Sequence, residues 1–220
     1  MITTRMDPEK ARWVGSGIPP RLRGVSLADV EEMGGQCDAV AKARSFVEGY
    51  RAQQSKNWRG LPVNPDSYGR GLLFAGHPGT GKTTLAVAIL CELRRRWGIT
   101  VYASRYTDHI DRERKLVRAD QSVDPEQVSR WQYAVERVQW ADAVLLDDVG
   151  HEHTTDSKFA EDTLEQVLRQ RYDEGRVTLV TTNLSGNDWA HRYSTPLRSF
   201  MDQATRRQIF TGESFRRGDL

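Results

Sequence analysis

The segment that most constrains this chain is a glycine-rich stretch that reads Gly76-His77-Pro78-Gly79-Thr80-Gly81-Lys82-Thr83 and fits the pattern G-x-x-x-x-G-K-S/T. An apolar run at 72–75 precedes it and a predicted helix over 83–97 follows it, which is the context that the pattern requires. Glycines let backbone N–H groups close around phosphates, and the helix N-terminus adds the positive end of a dipole. The alternative, a glycine-rich turn with a lysine, would match every fixed position only by coincidence. The sequence therefore predicts a nucleotide-binding loop.

The residues of this loop have distinct predicted roles. Lys82 is expected to reach the β- and γ-phosphates, and the Thr83 hydroxyl is expected to ligate Mg²⁺. The residues predicted to bind the nucleotide here are Gly76, His77, Pro78, Gly79, Thr80, Gly81, Lys82, Thr83 and Thr84.

Two carboxylates follow a second apolar run, at 143–146. Asp147 is predicted to hold Mg²⁺ through its water shell, and Asp148 lies where a base polarises the attacking water. The alternative is a strand that ends in a solvated acidic turn. Because a phosphate-binding loop lies upstream, the catalytic interpretation is favoured for both residues, more strongly for Asp147.

A third apolar run, at 177–181, ends in Thr182 and Asn183. An amide beside the acidic strand end is suited to orient water against the γ-phosphate. Taken alone, these residues would be interpreted as a turn. Their order after the two preceding motifs favours a catalytic role for Asn183.

The apolar runs alternate with helical segments, which is typical of an α/β fold with a parallel sheet covered by helices on both faces. The predicted strands lie at 72–75, 100–104, 143–146 and 177–181. The charged segment 105–140 is longer than a simple crossover needs and predicts an inserted helical element, with a helix that starts at Pro125. We expect a short N-terminal extension at 1–15, a single domain at 16–220, and little or no separate lid domain.

Composition excludes several classes of protein. The chain has 220 residues, and 32 basic side chains against 30 acidic ones leave a net charge of +2, which by itself does not indicate nucleic-acid binding. Two cysteines cannot form a disulfide framework. The first residues lack the apolar core of a signal peptide, and no apolar run approaches the ~20 residues that span a bilayer. We therefore expect a soluble, cytoplasmic protein without membrane contact.

Basic residues nevertheless cluster locally. Residues 190–220 hold six arginines against three acidic residues, and 105–118 carry five basic residues near Tyr102 and Tyr106. Basic groups beside aromatic rings suit single-stranded DNA, through backbone tracking and base stacking. The alternative is a solvated charged helix. The pair His151 and His153 around Glu152 is weak evidence for a metal, and a polar loop is the favoured interpretation.

The order of these motifs resembles that of the DnaC/IstB-type AAA+ ATPases, which comprise bacterial and phage helicase loaders and their transposition relatives. The resemblance covers roughly 15–217, nearly the whole chain. Its more particular elements are the acidic motif Asp147-Asp148-Val149-Gly150, the sensor 1 motif Thr181-Thr182-Asn183 and the closing motif Gly212-Glu213-Ser214-Phe215-Arg216. Further matching segments are 17–22, 26–29, 71–76 and Arg171-Tyr172.

The resemblance implies an ATPase that binds and hydrolyses ATP with Mg²⁺ and assembles head-to-tail, with its nucleotide between neighbouring subunits. It implies an arginine from the adjacent subunit, for which Arg198 is the first choice and Arg206 or Arg207 are the alternatives. Arg216 would contact the phosphates within its own subunit. The implied partners are single-stranded DNA and a replicative helicase.

Two departures from the family pattern leave alternatives open. About 15 residues precede the core, whereas loaders of this type carry an additional N-terminal domain that grips the helicase. Asp148 stands where many AAA+ proteins have glutamate, so hydrolysis is expected to be slow. The alternatives are an IstB-like transposition regulator on duplex DNA and a nucleotide-switched partner-binding module with negligible hydrolysis.

Overall fold

A computed structural model describes residues 13, 15–34, 36–57, 59–152 and 157–211. Its centre is a five-stranded sheet in which all neighbouring strands are parallel, in the order β2-β3-β4-β1-β5. The strands are β1 Gly71–Gly76, β2 Val101–Arg105, β3 Ala143–Asp147, β4 Val177–Thr182 and β5 Thr205–Phe210. The four predicted strands are thus confirmed, each within one or two residues.

Helices cover both faces of this sheet. A 3₁₀ turn at Pro20–Leu22 precedes the first of them. The helices are α1 Leu27–Glu32, α2 Cys37–Gln53, α3 Lys82–Trp97, α4 Tyr106–Arg118, α5 Pro125–Trp140, α6 Ser157–Asp173, α7 Gly186–Arg192 and α8 Thr195–Ala204. The predicted three-layer α/β fold is confirmed, and the residues after β5, where a lid would follow, lie outside the described part of the chain.

Alternate strand residues enter two separate cores, because successive side chains of a strand point to opposite faces. Leu72 and Phe74 pack in the core that α1, α2 and α3 cover, whereas Leu73 packs in the core on the opposite face, beneath α4 to α8. The middle of α3 is fully buried, which explains its dense apolar pattern. The helix ends at Gly98, whose φ of 68° places it in the left-handed region.

The inserted element at 105–140 consists of α4 and α5, as predicted. Pro125 occupies the first turn of α5, and the Asp124 carboxylate accepts a hydrogen bond from the backbone N–H of Glu126 at 3.0 Å. Proline lacks the N–H that a first turn leaves unpaired, so this position tolerates it.

The strand β5 was not predicted. Its sequence carries two adjacent arginines, Arg206 and Arg207, and lacks the continuous apolar run of the other strands. Within the described residues it pairs only with β1, so it lies at the edge of the sheet, where exposed polar side chains are tolerated. The two alternative choices for the intersubunit arginine therefore lie on an edge strand.

Arg171 on α6 is fully buried and joins three elements. Its guanidinium donates to backbone carbonyls in the last turn of α5 and just after it, and to two acceptors at the start of β4, which satisfies carbonyls that a helix end leaves unpaired. Burial lowers the pKa of Arg171 to about 9, so it stays charged at neutral pH. The acceptors are the carbonyl oxygens of Val138 (2.9 Å), Gln139 (3.1 Å), Ala141 (2.8 Å) and Val177 (2.6 Å), and Thr178 Oγ1 (2.9 Å).

Replacing Arg171 with methionine is expected to lower the free energy of unfolding by about 3 kcal/mol or more, because each buried acceptor left without a donor costs about 1–3 kcal/mol. Urea denaturation of both proteins measures the difference. The matched control is Lys158→Met on the same helix, where a 79% exposed side chain pairs with Asp162 and the expected loss is below about 1 kcal/mol. Equal losses in the two variants would contradict this account.

Candidate nucleotide-binding site

The glycine-rich loop joins the end of β1 to the start of α3. Gly79 and Gly81 have φ values of 85° and 88°, in the left-handed region that favours glycine, and Gly81 caps α3. At Gly76 an added Cβ would lie 2.3 Å from the carbonyl oxygen of Phe210 on β5. The close approach of the edge strand therefore requires glycine at the first position of the motif.

Lys82 is buried inside this loop, with 6% of the residue exposed. Its Nζ donates to the carbonyl oxygens of Gly76 at 2.7 Å and His77 at 2.6 Å. The Thr80 hydroxyl donates to the same His77 carbonyl at 2.9 Å. The loop is thus closed around the ammonium group that was predicted to contact the phosphates.

The Asp147 carboxylate joins the loop to two strands. Its Oδ1 accepts hydrogen bonds from the Thr83 hydroxyl at 2.8 Å and from the Thr181 hydroxyl at 2.6 Å. Hydroxyl and carboxylate oxygens are ligands that suit Mg²⁺. The donor chemistry of Thr83 and Asp147 fits that ion, and the structure brings the two predicted metal ligands into contact.

Asp148 and Asn183 also meet, as their strand order predicts. Asn183 Nδ2 donates to Asp148 Oδ1 at 2.6 Å, and His151 Nδ1 lies 3.4 Å from the same oxygen. The backbone N–H of Asp148 donates to the Thr181 hydroxyl at 2.8 Å. Asp148 has a φ of 62°, the one positive value among the described non-glycine residues. A left-handed backbone is uncommon at a non-glycine residue, although aspartate tolerates it better than most, and such conformations cluster at functional sites.

Thr181 was not singled out as a site residue, although it contacts both aspartates. Its signal in the sequence is its position two residues before Asn183, directly after the apolar pair Leu179-Val180 of the strand. A hydroxyl at that position is 2% exposed and needs partners. The two aspartates supply them, one through its carboxylate and one through its backbone.

The three predicted arginines that the structure describes lie on two different elements. Arg198 lies on α8, half-buried, where its Nη2 donates to Thr195 Oγ1 at 3.0 Å. Arg206 and Arg207 are exposed on β5, and Arg207 lies 3.3 Å from Asp202. Arg216, with the rest of the closing motif, lies outside the described residues.

The aromatic part of the DNA-binding prediction is wrong. Tyr102 is 6% exposed and Tyr106 is fully buried, so neither ring is accessible to a base. Both rings belong to the core beneath α4 to α8. The basic residues of α4 remain at its surface, where Arg114 lies over the ring of Phe159 and Lys115 over that of Trp131.

Residues 149–152, the described part of the segment after Asp148, form a turn and loop. Glu152 is buried and accepts a hydrogen bond from the backbone N–H of Gly150 at 2.8 Å. No group of three or more candidate metal ligands occurs among the described residues, and His153 lies outside them. Within the same part of the chain, no helix is long and apolar enough to cross a membrane.

Comparison with known proteins shows which family the chain belongs to. The model of the IstB-like ATP binding proteins matches residues 67–203. The replicative helicase loader DnaC of Escherichia coli (strain K12) is 28% identical over 169 residues, which is 76% of this chain and 59% of that protein. The chain thus spans less than two thirds of the length of this curated relative.

Solved structures share the fold. A crystal structure of the DnaC helicase loader superposes with a TM-score of 0.63 and 24% identity, over 88% of this chain and 100% of that one. AMPPCP-bound DnaA of Aquifex aeolicus superposes with a TM-score of 0.59 and 17% identity, over 90% of this chain and 53% of that one. Because the family model matches more than half of the chain, the protein belongs to the IstB-like ATP binding proteins and is a DnaC/IstB-type AAA+ ATPase.

Proposed function

We propose that the protein hydrolyses ATP with Mg²⁺ and acts in DNA replication as a loader of a replicative helicase. The observation that carries the catalytic part is the contact of Thr83 with Asp147, beside that of Asp148 with Asn183. These contacts bring metal-binding and water-orienting groups to one edge of the sheet. The proposed catalytic domain is 16–220, preceded by the extension at 1–15.

The nucleotide-binding residues have two proposed roles, neutralisation of phosphate charge and coordination of Mg²⁺. Lys82 places its ammonium group in the loop, where it neutralises phosphate charge. Thr83 and Asp147 would hold Mg²⁺, which supplies further charge neutralisation on the phosphate oxygens when it is bound. Thr181 holds Asp147 in place through its hydroxyl.

Asp148 is the proposed general base, with Asn183 as the group that orients the attacking water beside it. Asn183 already donates to the Asp148 carboxylate, so an amide and a carboxylate face the same space. Aspartate is one methylene shorter than the glutamate found in many AAA+ proteins. Slow hydrolysis by the isolated protein is therefore part of the proposal.

Arg198 is the proposed arginine that a subunit supplies to its neighbour in a head-to-tail oligomer. The Arg198 side chain is half-buried on α8, and its Nη2 donates to Thr195 Oγ1 at the exposed start of the helix. A partly exposed guanidinium on a short helix is suited to stabilise the charge of a transferring phosphoryl group. Arg206 and Arg207 remain the alternatives, and Arg216 remains the proposed contact within the same subunit.

The proposed partners follow from relatives and from charge. The curated relative carries the name of a replicative helicase loader. Arg206 and Arg207 are exposed on β5, and exposed cations of this kind suit the phosphate backbone of single-stranded DNA. The proposed location is the cytoplasm. A second candidate function is regulation of transposition on duplex DNA, which the resemblance to IstB-type proteins implies; the chain belongs to the IstB-like ATP binding proteins. Binding of single-stranded against duplex DNA, measured with a non-hydrolysable ATP analogue, distinguishes the two.

Removing the Asp148 carboxylate is expected to lower the rate of ATP hydrolysis about 100-fold, because a positioned base contributes about that factor or more. Single-turnover hydrolysis by Asp148→Asn measures it, and Lys82→Ala is expected to lose nucleotide binding as well. Asp162→Asn is the matched control, since Asp162 is an exposed carboxylate on α6 that pairs with Lys158. An unchanged rate in Asp148→Asn would refute the role of this base. No hydrolysis by the wild type would favour the nucleotide-switched module.

Mixing inactive subunits tests whether Arg198 acts on the neighbouring site. Arg198→Ala alone is expected to lower hydrolysis about 1000-fold. Mixed with equal Lys82→Ala, it should recover up to about a quarter of wild-type activity, because random head-to-tail assembly pairs an intact loop with an intact arginine at about one interface in four. Arg206→Ala and Arg207→Ala, mixed in the same way, are the controls. If only one of these controls were rescued, that arginine would replace Arg198 in the account.

A further inference from the structure

Glu152 is a buried carboxylate that the proposed mechanism leaves unused. It is 6% exposed and lies four residues after the proposed base, Asp148. Its Oε2 accepts a hydrogen bond from the backbone N–H of Gly150 at 2.8 Å, and its Oε1 accepts one from the hydroxyl of Tyr193. A buried charge is costly unless it is paired and hydrogen-bonded, and these hydrogen bonds meet that requirement for the Glu152 carboxylate.

The partners of Glu152 lie on a second element, at the end of α7. The Arg192 guanidinium donates to the Glu152 carbonyl oxygen at 2.7 Å and lies 3.6 Å from Oε1. Burial, and after it the Glu152 charge, raises the pKa of Tyr193, so its hydroxyl remains a donor. The Tyr193 ring packs on Trp189 with 4.7 Å between ring centroids. Glu152 is thus fixed to α7 by two side chains that are themselves held in place.

The turn between Asp148 and Glu152 is tightly constrained. Gly150 has a φ of 105°, and an added Cβ there would lie 2.5 Å from Leu184 Cδ1. The backbone N–H of Val149 donates to the Thr181 carbonyl at 2.9 Å. The turn therefore packs on the end of β4 through Val149 and Gly150, and Glu152, its last residue, binds the end of α7.

We propose that Glu152 is a positioning residue that holds this turn so that Asp148 keeps its carboxylate on Asn183. The inference rests on the proposed hydrolysis of ATP. Without the Glu152 contacts, the turn is held from the β4 side and no longer from α7, so the backbone at Asp148 relaxes more easily from its φ of 62°. The carboxylate would then leave the orientation that the Asn183 contact at 2.6 Å defines.

The contacts of Glu152 with Arg192 and Tyr193 also lie close in sequence to the proposed intersubunit arginine, Arg198. Ser194 follows Tyr193 directly and caps α8, and the backbone N–H of Arg198 donates to the Ser194 carbonyl at 3.1 Å. Glu152 therefore connects the turn that carries the proposed base, Asp148, to the segment that leads into α8. That helix carries Arg198, the arginine proposed to act on the neighbouring subunit's nucleotide. A metal role for Glu152 is less favoured, because both of its carboxylate oxygens already accept hydrogen bonds.

The experiment compares Glu152→Gln and Tyr193→Phe with the wild type in single-turnover ATP hydrolysis and in equilibrium ATP binding. We expect the maximal rate to fall about tenfold in Glu152→Gln and less in Tyr193→Phe, with the Kd for ATP changed less than about twofold. Glu161→Gln is the matched control, since Glu161 lies on α6 and accepts a hydrogen bond from the backbone N–H of Ser194 at the start of α8, without contact to the turn at 148–152 among the described hydrogen bonds. Thermal unfolding checks that each variant is folded, and Tyr193→Phe carries the test if Glu152→Gln is not.

A double-mutant cycle separates positioning from a general structural role. If Glu152 acts through Asp148, Glu152→Gln should lower the rate less than about twofold in an Asp148→Asn background. An equal loss in both backgrounds, or a rate unchanged by Glu152→Gln and Tyr193→Phe in the wild type, would overturn the inference. Absence of hydrolysis in the wild type would instead overturn the proposed function.

Discussion

The Asp147 carboxylate accepts hydrogen bonds from two hydroxyls, and the arrangement of the site depends on this meeting point. Thr83 reaches it from the first turn of α3 and Thr181 from the end of β4. Because Thr181 also accepts from the backbone N–H of Asp148, one side chain orients both aspartates. Three segments that are far apart in the sequence are thereby fixed within hydrogen-bond distance. The proposed chemistry needs this arrangement, since a metal ligand and a base are useful only at a fixed separation.

The order of the strands makes this meeting possible. The strands β3, β4 and β1 are neighbours in the sheet although they are separated by helices in the chain, and all run in the same direction. Their carboxyl ends therefore open on one edge, where an open α/β sheet binds its ligands. Arg171 stabilises this order from the opposite end, since it ties the end of α5 to the start of β4. The site and its main structural support thus lie at opposite ends of the same strands.

Much of the site could be predicted because local pattern and strand order determine it. The loop at Lys82 and the pairs at Thr83–Asp147 and Asp148–Asn183 follow from apolar strands that end in polar residues. The strand β5 could not be predicted, since an edge position lets exposed arginines replace an apolar run. The burial of Tyr106 could not be predicted either, because it depends on how α4 packs on the sheet. The sequence pattern assigns Glu152 to a polar loop. Its burial could not be predicted, because its hydrogen-bond partner Tyr193 lies 41 residues away in the chain.

Thr83 and Asp147 are the proposed ligands of the Mg²⁺ that accompanies the bound nucleoside triphosphate. Calorimetric titration with ATP, in Mg²⁺ and in EDTA, tests this proposal on the wild type and on Asp147→Asn. We expect EDTA to weaken ATP binding to the wild type about tenfold or more, an effect of at least about 1.4 kcal/mol, and Asp147→Asn to lose most of this dependence. Wild-type affinity that is the same in both buffers, or full Mg²⁺ dependence in Asp147→Asn, would contradict it.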